Sequence, residues 1–192
     1  MKRFYLAVLA LFLWNQSMAA DIEEPQWTLV DTVDEVELRE YAPTVRAVTQ
    51  LSDSGETTAG FQRLAGFIFG DNDSGQKISM TAPVEETLYN DAPVMAFTMP
   101  SEYKMQDLPE PKDASVTLEE MPGRTIAAIR FSGWATNGKV NRKTKELIQT
   151  LAQNGIETVG DPSLNQYNPP WTPPFLRRNE IMVQVELPQS GS

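Results

Sequence analysis

From residue 27 onward the apolar positions recur first at every second residue and then at every third or fourth. Trp27-Thr-Leu-Val-Asp-Thr-Val33 reads as a strand, Asp34-Glu35 as a turn, and Val36-Glu-Leu-Arg-Glu-Tyr41 as a half-buried strand. Pro43 interrupts the run, and Val45 to Leu51 resumes it. The period then changes. Phe61, Leu64, Ala65 and Ile68 stand at i, i+3, i+4 and i+7, which predicts a helix closed by Gly70. Asp71-Asn-Asp-Ser-Gly75 reads as a turn, and 77–84 and 93–99 read as strands.

A polar connector with prolines, 100–113, precedes a second round of the same order. Val116-Thr-Leu-Glu-Glu-Met-Pro122 echoes Val36 to Pro43 at an offset of about 80 residues, and Thr125 to Phe131 matches the strand after Pro43. Val140, Leu147, Ile148 and Leu151 mark a second amphipathic helix ended by Asn154-Gly155. The last strand, 180–187, reads as the counterpart of 77–84. The pattern predicts an α+β domain with pseudo-repeats over about 27–99 and 115–187, each strand, strand, helix, strand. Two helices packed on one curved antiparallel sheet would leave a groove near the pseudo-twofold axis.

The first twenty residues follow another rule. Met1-Lys2-Arg3 is basic, Phe4 to Trp14 is apolar, and Ser17-Met18-Ala19 offers a small-x-small cleavage site. This is the layout of a secretory signal peptide over 1–20, too short for a membrane anchor, followed by one domain over 21–192. The expectation is an exported protein, periplasmic in a cell with an outer membrane, and without a stable membrane anchor after cleavage. Loss of Lys2 and Arg3 would leave 14 cations against 26 anions, a net charge of −12 rather than −10.

The 192 residues include no histidine and no cysteine. That excludes Ser-His-Asp and Cys-His relays, disulfides and iron–sulfur clusters, and removes the usual zinc ligands. The acidic balance argues against a nucleic-acid partner, because phosphate contacts need a basic face. Glu37 and Glu40 fall on opposite strand faces and do not form a catalytic pair. Asp71-Asn-Asp-Ser-Gly75 has its glycine one position early for a calcium loop and lacks the closing glutamate. No phosphate-binding loop, dinucleotide fingerprint or nucleophile elbow occurs.

Two features remain. Lys139, Arg142, Lys143 and Lys145 cluster at the start of the second helix, either as a solvated face or as a surface for an anionic membrane or partner. Tyr167-Asn-Pro-Pro-Trp-Thr-Pro-Pro-Phe-Leu-Arg-Arg-Asn-Glu180 is a proline-stiffened loop with two aromatics and two adjacent arginines. Such a loop can cover a flat apolar ligand and hold its carboxylates, or fold back with its arginines paired to local glutamates.

Five pieces together resemble the SOUL/haem-binding protein family. They are Val36-Glu-Leu-Arg-Glu-Tyr41, Phe67-Ile-Phe-Gly70 with Asp71-Asn-Asp73, Lys77-Ile-Ser-Met-Thr-Ala-Pro-Val84, Phe131-Ser-Gly133, and Tyr167-Asn-Pro-Pro170 through Arg177-Arg-Asn-Glu180. The resemblance implies a distorted antiparallel β-barrel flanked by two helices, built from a duplicated βαββ-type unit, that binds haem or a related tetrapyrrole non-covalently. It places the ligand between the first helix and the loop before the last strand. The helix would supply Phe61, Arg63, Leu64, Phe67 and Ile68, and the loop Trp171, Phe175, Arg177 and Arg178.

Some members of that family are thought to ligate iron through histidine, which this chain lacks. Tyr41, Met80 and Tyr167 remain as candidate ligands. The expected function is non-enzymatic: a carrier or sequestering protein that grips the ring by apolar contact, with arginines on the propionates. The alternatives are a hydrolase or binding module for other flat amphipathic molecules in the same groove, and an interaction module that uses the proline-rich loop.

Overall fold

In the computed structural model the described residues are 22–52, 56–89 and 93–187. The signal-peptide reading of residues 1–20 lies outside them. Nine strands and two helices follow in the order β1 (Trp27–Val33), β2 (Val36–Tyr41), β3 (Thr44–Gln50), α1 (Thr57–Ile68), β4 (Val84–Thr87), β5 (Val94–Thr98), β6 (Val116–Met121), β7 (Arg124–Phe131), α2 (Asn137–Gln153), β8 (Glu157–Gln166) and β9 (Asn179–Glu186). Every pairing between these strands is antiparallel.

The sheet runs β1-β2-β7-β9-β8-β4-β5-β3-β6. From β2 to β6 the order is unchanged when read from the other end with β2 exchanged for β6, β3 for β7, β4 for β8 and β5 for β9. Each half thus lends its first strand to the other: β2 pairs with β7, and β6 with β3. The sheet does not close into the expected barrel. It is open, with β1 and β6 as its edges.

Strand parity decides which face each residue takes. In β2, β7 and β9 the core-facing set is Val36 and Leu38, Ala127 and Ile129, Ile181 and Val183, all packed with Val140, Leu147 and Leu151 of α2. In β3 and β5 it is Ala47, Met95 and Phe97, packed with Leu64, Phe67 and Ile68 of α1. Each fully buried Leu or Ile in these two clusters is worth about 1.5–3 kcal/mol over its exposed state. Gly60 lets α1 lie close to the sheet, since a Cβ there would come within 2.4 Å of Leu51 Cδ2. Both α-helices therefore cover one face of the sheet, and among the described residues the other face carries no α-helix.

Two elements differ from the sequence pattern. Residues 77–83 are not a strand; their chain leaves α1 through the Ile78 N–H bond to the Ile68 carbonyl at 2.8 Å, and β4 starts only at Val84. Pro83, with no N–H to give a ladder, immediately precedes it. The pattern also lacks β8, whose Gly160, Asp161 and Pro162 are poor strand formers. The structure absorbs them in a register shift between Val159 and Ser163, with Gly160 at φ +73°. With β8 present, the partner of the last strand under the symmetry is β5 and not 77–84.

The Asp71–Gly75 turn has a structural task. Asn72 is fully buried; its Nδ2 donates to the Phe67 and Gln76 carbonyls at 3.0 and 2.7 Å, and its Oδ1 accepts from the Gln76 N–H at 2.9 Å. That one side chain satisfies the backbone where α1 ends.

Candidate functional site

On the helix-free face the alternate residues of both half-sheets point into a common cleft. Tyr41 of β2, Arg46 of β3, Glu85 of β4, Arg124 of β7, Asn165 of β8 and Met182 of β9 line a cavity of about 210 Å³ there. A wider cavity of about 580 Å³ adjoins it, and Pro25, Thr44, Thr98 and Met121 line both. Its remaining wall is chiefly Met99, Tyr103, Met105 and prolines, with Glu23, Glu24, Glu120 and Lys104 as its charged residues.

A buried ionic network underlies the narrow end. Glu180, fully buried on β9, receives Arg39 Nη1 at 2.6 Å and Nη2 at 3.3 Å, and Arg178 Nε at 2.9 Å. The Tyr167 hydroxyl donates to the same carboxylate at 3.1 Å. Arg39 also donates to Glu37 at 2.8 Å and lies 4.4 Å over the Trp27 ring, while Arg178 lies 3.6 Å over Tyr167 and pairs with both oxygens of Glu24. Burial alone would raise the Glu180 pKa, but the hydrogen bonds and charges of Arg39 and Arg178 outweigh it and leave the carboxylate below its ordinary range. The Tyr167 phenol is pushed up by burial and then by the Glu180 charge, and Tyr41 chiefly by burial.

The two arginines that line the narrow cavity differ. Arg46 is paired with Glu119 at 3.1 Å and with Glu85 at 3.4 Å. Among the described residues no hydrogen bond or ion pair holds the guanidinium of Arg124. Burial draws its pKa below the ordinary arginine value; the charge of Glu85 opposes this and that of Arg46 adds to it. A half-buried cation at the inner wall of a cleft, held by no hydrogen bond or ion pair among the described residues, is suited to an incoming carboxylate.

The residues that the sequence places around a helix–loop groove lie apart. Leu64, Phe67 and Ile68 are buried in the α1 core. Phe61 stacks edge-on against Phe97 with centroids 5.3 Å apart. Arg63 is committed to Glu56 at 2.7 Å, Thr49 Oγ1 at 2.9 Å and the Gln50 carbonyl at 2.8 Å. α1 packs on β3, β5 and β6, and among the described residues no hydrogen bond or ring contact of the proline-rich loop reaches it.

The loop is instead fastened to the β7–α2 connection. The Gly133 N–H donates to the Pro174 carbonyl at 2.8 Å, and Arg177 lies 3.8 Å over the Trp134 ring while donating to the Thr172 and Pro170 carbonyls. Trp171 and Phe175 point to solvent. Of the three ligand candidates, Tyr41 and Tyr167 do line the narrow cavity, with hydroxyls turned into the Arg39–Glu180 network, whereas Met80 packs on the α1 core.

Arg124, Met121, Tyr103 and the Arg46–Glu85 pair escape sequence reasoning. Parity alone would put Arg124 on the face away from Ala127 and Ile129. Its meeting with Tyr41 depends on β2 crossing to the other half-sheet.

Residues 22–184 match the family model described as SOUL heme-binding protein. Among curated proteins the chain is similar to mouse Heme-binding protein 2, 26% identical over 148 residues, covering 70% of this chain and 72% of that one. It is also similar to mouse Heme-binding protein 1, 30% identical over 125 residues, covering 61% and 65%. The EcmrR C-terminal domain shares the fold, with a TM-score of 0.62 at 12% identity over 79% of this chain and 96% of that one. The family match spans most of the nine-stranded sheet and its cleft, and the chain belongs to the SOUL heme-binding protein family.

Proposed function

We propose that this chain binds haem or a related tetrapyrrole non-covalently in the helix-free cleft, and that it holds the ring rather than the iron. The observation that carries the reading is the pair of adjoining cavities, about 580 and 210 Å³, with the Arg124 guanidinium, unpaired among the described residues, in the inner one. That space lies in the range of small-molecule sites. Methionine, proline and tyrosine side chains suit a flat apolar macrocycle, and Arg124 suits one of its propionates. The family match and the names of the curated relatives support the ligand class.

The residues fit the ring better than the metal. With no histidine or cysteine, a protein ligand to iron would have to be tyrosine or methionine. The phenols of Tyr41 and Tyr167 are held protonated by burial and, for Tyr167, by the carboxylate it donates to, which disfavours phenolate ligation. Met121 and Met105 line the wide cavity and could offer thioethers, which are weak ligands. Haem, if bound, would supply its redox chemistry; this chain's part is to desolvate the ring and position its carboxylates.

Binding is favoured over hydrolysis because Glu85 and Glu180, whose charges act on Arg124 and on the tyrosines, are ion-paired to Arg46 and to Arg39 with Arg178. The end-to-end symmetry of the strand order supports a duplicated unit, and the N-terminal pattern an exported carrier or sequestering role. Titration of residues 21–192 with haem and with iron-free protoporphyrin tests the reading: the two affinities are expected to agree within about tenfold, since apolar burial and propionate contacts are common to both. A thousandfold preference for haem would show that the iron is ligated and overturn it.

A further inference from the structure

A second surface lies on the proline-rich loop and the β7–α2 connection. Trp171, Phe175, Leu176 and Trp134 are 83%, 77%, 62% and 56% exposed. These side chains are held outward. Prolines 169, 170, 173 and 174 stiffen the loop, a short 3-10 turn spans Pro174–Leu176, and the Gly133–Pro174 hydrogen bond with the Arg177–Trp134 stack fastens loop and connection together. Contiguous exposed apolar side chains of this size mark an interaction surface.

The charge around them is opposite to that of the rest of the chain. Residues 131–145 and 162–179, which the fold brings together here, hold Lys139, Arg142, Lys143, Lys145, Arg177 and Arg178 and no carboxylate, in a protein of 26 acidic residues. Lys139 sits beside the patch, its Nζ 5.7 Å from the Phe131 ring centre, and Arg142 and Lys145 follow along α2 at three-residue spacing, both exposed. Lys143 is taken by Glu35 and Glu146, and Arg178 by Glu24 and Glu180. Lys139 stands in the first turn of α2, where a cation opposes the helix dipole, so helix stability does not account for it.

We propose that this face docks on an anionic phospholipid surface, with Trp134, Trp171, Phe175 and Leu176 seated at the headgroup level and Lys139, Arg142 and Lys145 on the lipid phosphates. Tryptophan is favoured at that depth, and cations near an anionic bilayer reinforce an apolar insertion that would be marginal alone. The rigid loop has little ordering entropy left to lose on contact. None of these seven residues lines the cleft, so docking and cleft occupancy can be separated.

The test is flotation of residues 21–192 with phosphatidylcholine vesicles, with and without phosphatidylglycerol. Binding is expected to the mixed vesicles, to fall about tenfold or more in Trp171→Ser/Phe175→Ser, and to lose most of its salt dependence in Lys139→Gln/Arg142→Gln/Lys145→Gln. Circular dichroism of each variant, all at exposed or half-exposed positions, checks the fold. Equal binding to both vesicle types, absence of binding, or capture by polyglutamate without vesicle binding would each overturn the proposal, the last by assigning the face to an acidic protein.

Discussion

Glu180→Gln is expected to lower the free energy of unfolding by about 3–5 kcal/mol, the cost of removing one partner from a buried ion pair. The magnitude follows from what is left behind. Arg39 is almost fully buried, and without the carboxylate it would keep only the partly exposed Glu37 as a charge partner, while Arg178 would keep Glu24. The Tyr167 hydroxyl would lose the charge of its acceptor. The amide retains the shape and one acceptor oxygen, so the loss reports charge and not volume.

The same carboxylate predicts an acid limb. A pKa lowered by folding contributes stability that is complete above the ordinary glutamate value and disappears as pH falls through the lowered one. Urea denaturation at pH 7 and at successively lower pH measures both effects; the variant should be weaker at neutrality with an unchanged m-value and should show a shallower acid limb. A loss below about 1 kcal/mol at pH 7 would mean that the network is not a unit. Replacing Arg39, Glu180 and Arg178 together by apolar residues is a different experiment and can be neutral or stabilising.

Arg124→Met is expected to weaken protoporphyrin about 10- to 100-fold, the equivalent of one charge-assisted hydrogen bond of about 1.5–3 kcal/mol. Because no hydrogen bond or ion pair holds Arg124 among the described residues, the substitution breaks none, and folding stability should barely change. Methionine preserves much of the aliphatic stem that Arg124 lays along the cleft. The decisive control is protoporphyrin dimethyl ester, which lacks the carboxylates: wild type should bind it about as weakly as the variant does, and the variant should bind acid and ester alike. Equal loss for acid and ester would instead assign Arg124 a steric part.

Much of the fold is legible in the residue pattern, and little of the site. The two helices, seven of the nine described strands and the turn at Asp71–Gly75 follow from period and punctuation. β8 does not, because Gly160-Asp161-Pro162 interrupts its alternation and a bulge, set by partners on β9, repairs it. The family motif residues were visible, but their tasks were not. Leu64, Phe67 and Ile68 are apolar at helical spacing, which a core and a ligand groove satisfy equally; contact with Phe97 and Met95, about 30 residues on, selects the core. Arg177 and Arg178 resemble propionate anchors until the fold supplies Trp134, Glu24 and Glu180. Arg124 carries no local signal, since its environment comes from strands β2, β3 and β4 and is created by an exchange of strands between halves.

The central claim is a location, and backbone amide shift mapping with iron-free protoporphyrin tests it directly. The cleft reading predicts the largest perturbations at Thr44, Thr98, Met121 and Arg124, with Phe61, Trp171 and Phe175 almost unmoved. Perturbations centred on Phe61 and the Trp171–Phe175 loop, with the cleft silent, would contradict it.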